Sequence, residues 1–153
     1  MPTTDGADTE PPDDLEAAIG AIYGGSLDEF VAGRDGLARE LRAAGRRDDA
    51  AAVRKLAKPR RLAWALDAAV LAEPARFEAV DAAAAALADA HSGSDVREAT
   101  NALRAAARSL ADAASERAAA SGGAGLDQSE LVPAVLAVAA DPEALATLRA
   151  GRL

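Results

Sequence analysis

The side chains with the clearest chemical potential are the cations between residues 34 and 61. This stretch holds 10 Lys and Arg against 4 Asp and Glu, within a chain whose net charge is −8. Phosphate binding requires cations clustered on one surface, so the stretch is a candidate contact for nucleic acid or for an acidic partner. The segment that follows is too apolar to lie exposed in a DNA groove, which favours a solvated basic face that pairs with acidic helices of the same chain. The candidate contacts are Arg46, Arg47, Arg54, Lys55, Lys58, Arg60 and Arg61.

Asp67 is the carboxylate with the most unusual surroundings. It lies near Trp64, and every other residue from 62 to 71 is apolar. A charge buried in such a helix needs a partner, so we expect Asp67 to bind Arg34 or a backbone amide and to fix the helix register. A functional carboxylate and a small-molecule pocket between helices, near Trp64 and Asp67, are the alternatives.

Groups that carry catalysis or bind metals are scarce. The chain has no cysteine, its one histidine is His91, and its carboxylates are not clustered at ligand spacing. We therefore predict no zinc site, no Ser/His/Asp triad, no catalytic residue, no metal, no cofactor and no enzymatic activity. Gly122, Gly123 and Gly125 lack the Lys-Ser/Thr ending of a phosphate-binding loop, so they indicate a linker.

The composition favours helices as the elements that position these residues. Among 153 residues there are 45 alanines, and aromatic residues make up 3%. Alanine is the strongest helix former, whereas strands prefer β-branched and aromatic side chains. We predict an all-α protein, a compact bundle of seven or eight helices that includes an alanine-rich antiparallel helical hairpin. Small side chains would let these helices approach closely.

The chain is predicted to hold one helical domain, residues 13–153, after a disordered acidic tail, residues 1–12. The tail combines acidic residues with Pro11 and Pro12 and has few apolar side chains to bury. A flexible glycine-rich break is expected at residues 121–125. The N-terminus has no apolar run, and no later stretch reaches membrane-spanning length, so we expect a cytoplasmic protein that does not associate with membranes.

Helix starts are predicted from capping residues and prolines. The first helix is expected at Leu15–Tyr23, and Ser26–Glu29 has the pattern of a capping box that would begin the second. Pro59–Ala72 is predicted as a central helix, because it is apolar on nearly all sides. Asp127 and Asp141 are predicted to cap the last two helices.

The predicted hairpin consists of a helix beginning at Pro74 and a long helix over residues 95–120. Three larger apolar residues of the long helix are spaced seven apart, with alanines between them, as in helices that pack in antiparallel pairs. These residues form the predicted packing seam. They are Val96, Leu103 and Leu110.

Three segments resemble an alanine-rich family of actinobacterial proteins. They are LDEFVAGRDGLARELRAAG at residues 27–45, AAAVRKLAKPRRLAWALD at 50–67 and DPEALATLRAGRL at 141–153. The resemblance implies an all-helical fold and implies no known biochemical activity. Longer members continue past the Gly151-Arg152-Leu153 signature, so the resemblance also implies that this chain corresponds to their N-terminal domain.

Two functional hypotheses follow from the sequence. The first is a non-enzymatic helical module for protein interaction or assembly, with an unidentified protein partner. Self-association is also expected if the alanine stripe at residues 99–114 is left uncovered in the monomer. The alternative is a regulator that binds nucleic acid through the cations of the 46–61 stretch.

Overall fold

The computed structural model describes residues 14–121 and 124–153. Those residues form eight α-helices and no strand, which confirms the predicted all-α bundle. The predicted tail, residues 1–12, and Gly122 and Gly123 of the predicted break lie outside the described residues. The helices are α1 (Leu15–Gly24), α2 (Phe30–Ala43), α3 (Arg47–Arg54), α4 (Arg61–Ala72), α5 (Pro74–Asp89), α6 (Gly93–Ala120), α7 (Gln128–Ala139) and α8 (Pro142–Arg149).

Helices α7 and α8 begin at the two predicted aspartate caps. The Asp127 carboxylate accepts a hydrogen bond from the Ser129 amide at 2.8 Å. The Asp141 carboxylate accepts one from the Glu143 amide at 2.9 Å. Each cap therefore satisfies an amide that has no partner within its own helix.

The predicted start of α2 at the Ser26–Glu29 capping box is wrong. Residues 27–29 form a turn in which the Glu29 amide donates to the Ser26 carbonyl at 3.1 Å, and the helix begins at Phe30. Packing explains the difference, because Leu27 packs against the α4–α8 core while Phe30 is buried in a separate core. The chain has to turn between the two cores. The burial of Leu27 and Phe30 in different cores therefore outweighs the local capping pattern.

The predicted start of α4 at Pro59 is also wrong, by two residues. Arg60 has an extended backbone, with φ −66° and ψ 151°, and the helix begins at Arg61. The Arg61 guanidinium donates to the carbonyl of Ala118 at 3.3 Å and to that of Ala124. These contacts join the first turn of α4 to the end of α6.

The helices enclose two hydrophobic cores. Helices α1 to α3 bury the smaller core around Phe30 and Leu41, where the ring of Tyr23 meets the Phe30 ring edge-on at 5.1 Å between centroids. Helices α4 to α8 enclose the larger core. In α4 every residue from 64 to 70 is buried, which confirms the prediction of a central helix.

Helix α6 is the longest helix, and α4, α5 and α7 all pack along it. Its fully buried residues include Ala107, Ala111, Ala114 and Ala118, because methyl side chains fit where helices lie close together. Helix α5 precedes it as the other arm of the predicted hairpin. The predicted seam is confirmed at Leu103 and Leu110, which are buried.

The seam prediction is wrong at Val96, whose exposed fraction is 41%. Val96 lies in the first turn of α6, seven residues before Leu103 and therefore on nearly the same face. None of the described helices covers this end of the seam.

Within the described residues no single helix is long and apolar enough to cross a membrane. By length and composition the pair α7 and α8 would pass such a test together, but the two helices meet at a bend of 112°.

Candidate functional site

One surface feature is an apolar groove between α5 and α7, which we call the α5–α7 groove. Helices α5 and α7 both flank α6 but hardly touch each other, so Leu103 of α6 forms part of the floor. The start of α8 closes one side. The volume is about 420 Å³, within the range of sites that bind ligands or side chains. The lining residues are Asp81, Ala84, Ala85, Leu87, Ala88, Leu103, Leu136, Ala139, Ala140, Pro142 and Leu145.

The groove exists because α5 presents small side chains toward α7. Phe77 and Val80, earlier on the same face of α5, are buried in the core. At positions 84, 85 and 88 the helix carries alanine, on a stripe with helical spacing. A methyl group does not reach across to α7, so the gap between the two helices stays open.

The seam of α6 runs from the floor of the groove toward the first turn of that helix. Leu103 at the floor and Val96 belong to the same seam, and Val96 is 41% exposed. Leu136 and Leu145 in the groove walls are only partly buried. Ala99, which lies between Val96 and Leu103 on this face, is buried, so the uncovered end of the seam is Val96 in the first turn of α6.

Acidic residues border the groove. Asp81 lies in its wall and forms an ion pair with Arg149, whose guanidinium carbon lies 5.5 Å from the centroid of the Phe77 ring. Asp89 follows Ala88 in the chain, and Glu143 follows Pro142. Among the described residues, no cation lies within ion-pair distance of Asp89 or Glu143, and both are exposed.

Asp67 is fully buried, as expected for its apolar segment, and its exposed fraction is 0%. Of the two predicted partners, the structure assigns a backbone amide: the Leu153 amide donates to both carboxylate oxygens, at 2.9 and 3.0 Å. Arg34 is not the partner. Its guanidinium donates to the Leu56 carbonyl at 3.1 Å and pairs with Asp35, because α2 and α3 form a separate core.

The electrostatics at Asp67 follow from this burial. Loss of solvation raises the pKa of Asp67 to about 7, although the hydrogen bond from Leu153 acts in the opposite direction. Burial also raises the pKa of Tyr23 on α1. The nearby charge of Asp67 raises this pKa further, whereas the charge of Arg152 lowers it. Arg152 in turn pairs with Glu16 of α1. Helices α1 and α4 and the segment after α8 therefore meet at one polar cluster, in which Asp67 and Tyr23 are buried and Glu16 is exposed.

The Gly151-Arg152-Leu153 signature positions the amide that Asp67 binds. Gly151 has a φ of 67°, and the amides of Gly151 and Arg152 return to the carbonyls of Leu148 and Thr147 as in a Schellman motif. A Cβ atom at Gly151 would lie 3.1 Å from the side chain of Leu71. Glycine thus satisfies both the backbone conformation and the close approach to α4.

Trp64 connects the two cores. Its indole N–H donates to the Gly25 carbonyl at 2.8 Å, and its side chain lines an open groove of about 450 Å³ beside Gly24 and Leu71. Asp67 does not line this groove. Trp64 and Asp67 therefore do not line one common groove, as the predicted small-molecule pocket would require.

The seven candidate cations do not form one uniform surface. Arg46 pairs with Asp49 at 2.7 Å, and Arg61 is bound to two backbone carbonyls. The other five are exposed on α3 and on the connection to α4. We call these five residues the basic surface: Arg47, Arg54, Lys55, Lys58 and Arg60.

Sequence reasoning identified Asp67, Trp64 and the cations but missed the α5–α7 groove. The signals that could have found it are the alanine run at residues 82–86 and the seam at Val96. The seam was predicted to be packed along its whole length, whereas Val96 and most of the alanine run are exposed.

In comparisons with known proteins, the chain matches no family model, no curated protein sequence and no solved structure. The resemblance to an alanine-rich actinobacterial family therefore stays a prediction.

Proposed function

We propose that this chain is a non-enzymatic protein-interaction module that binds a helical segment of another protein in the α5–α7 groove. The observation that supports this most directly is the uncovered end of the α6 seam. Leu103 forms part of the groove floor, Val96 is 41% exposed, and α5 and α7 contact each other so little that an apolar groove stays open between them. An amphipathic helix laid into an apolar groove is a common mode of peptide recognition.

The energetics of covering the groove are favourable. Fully burying one Leu or Val side chain stabilises a protein by about 1.5–3 kcal/mol relative to leaving it in water. Val96 and the partly buried Leu136 and Leu145 would each gain part of this when a helix covers them. The alanines at 84, 85 and 88 allow a partner helix to approach the α5 backbone closely.

Site-specific crosslinking tests the proposal. Since the chain has no cysteine, an Ala85→Cys variant carries a single thiol in the groove wall. An Ala51→Cys variant places the thiol on the exposed face of α3, away from the groove, as a matched control. Each variant is labelled with a photo-crosslinker and exposed to an extract of the source organism.

The expected product is a partner crosslinked from position 85 but not from position 51, through a helical segment. The purified partner should then bind the wild-type chain and fail to bind an Ala88→Arg variant, whose larger side chain fills the groove. Equal crosslinking from both positions, or none from position 85, would refute the proposed site. A crosslink to a second copy of the chain would show self-association instead of a separate partner.

The basic surface supports a second candidate function, nucleic-acid binding. Five exposed cations lie within 14 residues, and among the described residues none of the five has a carboxylate within ion-pair distance. Phosphate contacts of this kind release counterions, so the affinity should fall steeply with salt. If all five cations contact duplex phosphates, the slope of log K against log salt is about −4 to −5.

Binding to duplex DNA and to RNA at two salt concentrations tests this candidate. An Arg54→Glu, Lys55→Glu variant should lose the binding. An Arg97→Glu, Arg104→Glu variant makes the same change in net charge on exposed positions of α6 and should retain it. Undetectable binding by the wild-type chain at micromolar concentration, or equal losses in both variants, would eliminate the candidate.

A further inference from the structure

We propose that the helix bound in the α5–α7 groove is a basic amphipathic helix, with Lys and Arg on both flanks of its apolar face. This inference rests on the proposed function and adds the chemical class of the partner. It is carried by the charges that border the groove.

Acidic residues stand on both sides of the groove. On the α5 side, Asp81 lies in the wall and Asp89 follows the wall residue Ala88. On the α8 side, Asp141 and Glu143 flank the wall residue Pro142. Arg149 is bound to Asp81, so it neutralises one of these four carboxylates.

The acidic border extends toward the uncovered end of α6. Asp89, Asp95 and Glu98 line an open depression of about 410 Å³ at the tip of the α5–α6 hairpin. Among the described residues, none of the three has a cation within ion-pair distance. A helix that covers Val96 would end close to these carboxylates, because Val96 lies between Asp95 and Glu98 on α6.

These charges discriminate between possible occupants. A basic helix gains a favourable interaction at each flank, whereas an acidic helix places like charges against one another. A second copy of this chain is disfavoured for the same reason, since its net charge is −8. Its exposed large apolar side chains among the described residues are Val31, Leu71 and Val96, which lie on three different helices. The surface therefore favours a separate, basic partner.

A displayed library of 16-residue amphipathic helices tests the inference. The apolar face of each peptide is Leu or Ala, the flanking positions are randomised among Lys, Glu and Gln, and the full chain serves as bait. An Ala85→Arg variant serves as the control bait, because the arginine occupies the groove at an exposed position that folding tolerates. We expect enrichment of Lys at the flanks on the wild-type chain and none on the control bait.

A neutralised bait gives an independent readout. Asp89→Asn, Glu98→Gln and Glu143→Gln together remove three border charges and leave the Asp141 cap in place. The selected basic peptide should bind this variant about fivefold or more weakly, and raising the salt should weaken the wild-type complex similarly. The matched control removes three remote exposed charges by Asp28→Asn, Glu29→Gln and Glu116→Gln, and should bind as the wild type does.

The outcomes separate this inference from the proposed function. Enrichment of neutral or acidic flanks on the wild-type bait but not on the Ala85→Arg bait would overturn the basic partner and leave the groove as the docking site. Unchanged affinity in the neutralised variant would overturn it as well. No difference in enrichment between the wild-type and Ala85→Arg baits would overturn the proposed function itself.

Discussion

Replacing Asp67 with asparagine should remove a pH dependence of folding stability. In the folded chain the pKa of Asp67 is raised from its ordinary value of 3.8 to about 7 by burial. Between these two values the folded chain holds a proton that the unfolded chain has already released. The contribution of Asp67 to stability is therefore complete below pH 3.8 and is lost as the pH rises toward 7.

The size of the effect follows from the same two pKa values. One pKa unit corresponds to about 1.4 kcal/mol, so complete ionisation of buried Asp67 costs about 4 kcal/mol. Between pH 5 and pH 8 the loss is about 2–3 kcal/mol, because part of it has already occurred by pH 5. The amide oxygen of asparagine can still accept the hydrogen bond from the Leu153 amide but carries no charge at any pH.

Urea unfolding at pH 5, 6, 7 and 8 measures the effect. Far-ultraviolet circular dichroism reports helix content, and the fluorescence of the single, buried Trp64 reports packing. The difference in unfolding free energy between Asp67→Asn and the wild type should shift by about 2–3 kcal/mol over this range in favour of the variant. Asp28→Asn, at an exposed position, controls for the amide substitution itself. A difference that stays constant to within about 0.5 kcal/mol would refute the argument.

Three further predictions concern stability and use the same unfolding assay. Gly151→Ala should lower the free energy of unfolding by about 1 kcal/mol more than Gly45→Ala does. Both glycines have a positive φ, but an added Cβ atom meets a neighbouring side chain only at position 151. Equal losses of stability in the two variants would contradict this. Ala107→Leu should destabilise by about 1–3 kcal/mol, while Ala105→Leu, at an exposed site on the same helix, should stay within about 0.5 kcal/mol. Trp64→Phe removes the hydrogen bond to the carbonyl of the exposed Gly25 and should cost about 0.5–1.5 kcal/mol; no loss would contradict this.

Features encoded locally could be predicted from the sequence. The central position of α4 follows from its apolar residues on all sides, and the caps at Asp127 and Asp141 follow from short-range hydrogen bonding. The capping pattern at Ser26–Glu29 failed for a different reason. Leu27 and Phe30 belong to two different cores, and no local pattern shows that a chain segment passes from one core to another.

The candidate sites also divide into features that the local sequence encodes and features that depend on distant parts of the chain. Burial of Asp67 was predictable from its neighbours in the chain, but the choice of the Leu153 amide over Arg34 was not, because that contact spans 86 residues. The α5–α7 groove depends on how far apart two helices lie on α6. An alanine stripe is equally compatible with close packing and with an open gap, so composition alone does not distinguish them.

The contacts of α1 also bear on the order of assembly during synthesis. The core of α1 to α3 uses residues up to about 56 and can form once these have left the ribosome. The ion pair of Glu16 with Arg152 spans 136 residues, so it must wait until all eight described helices have been made. That ion pair therefore forms after the Trp64 indole has been able to bind the Gly25 carbonyl, and until then the surface of α1 around Glu16 remains open to solvent and to chaperones.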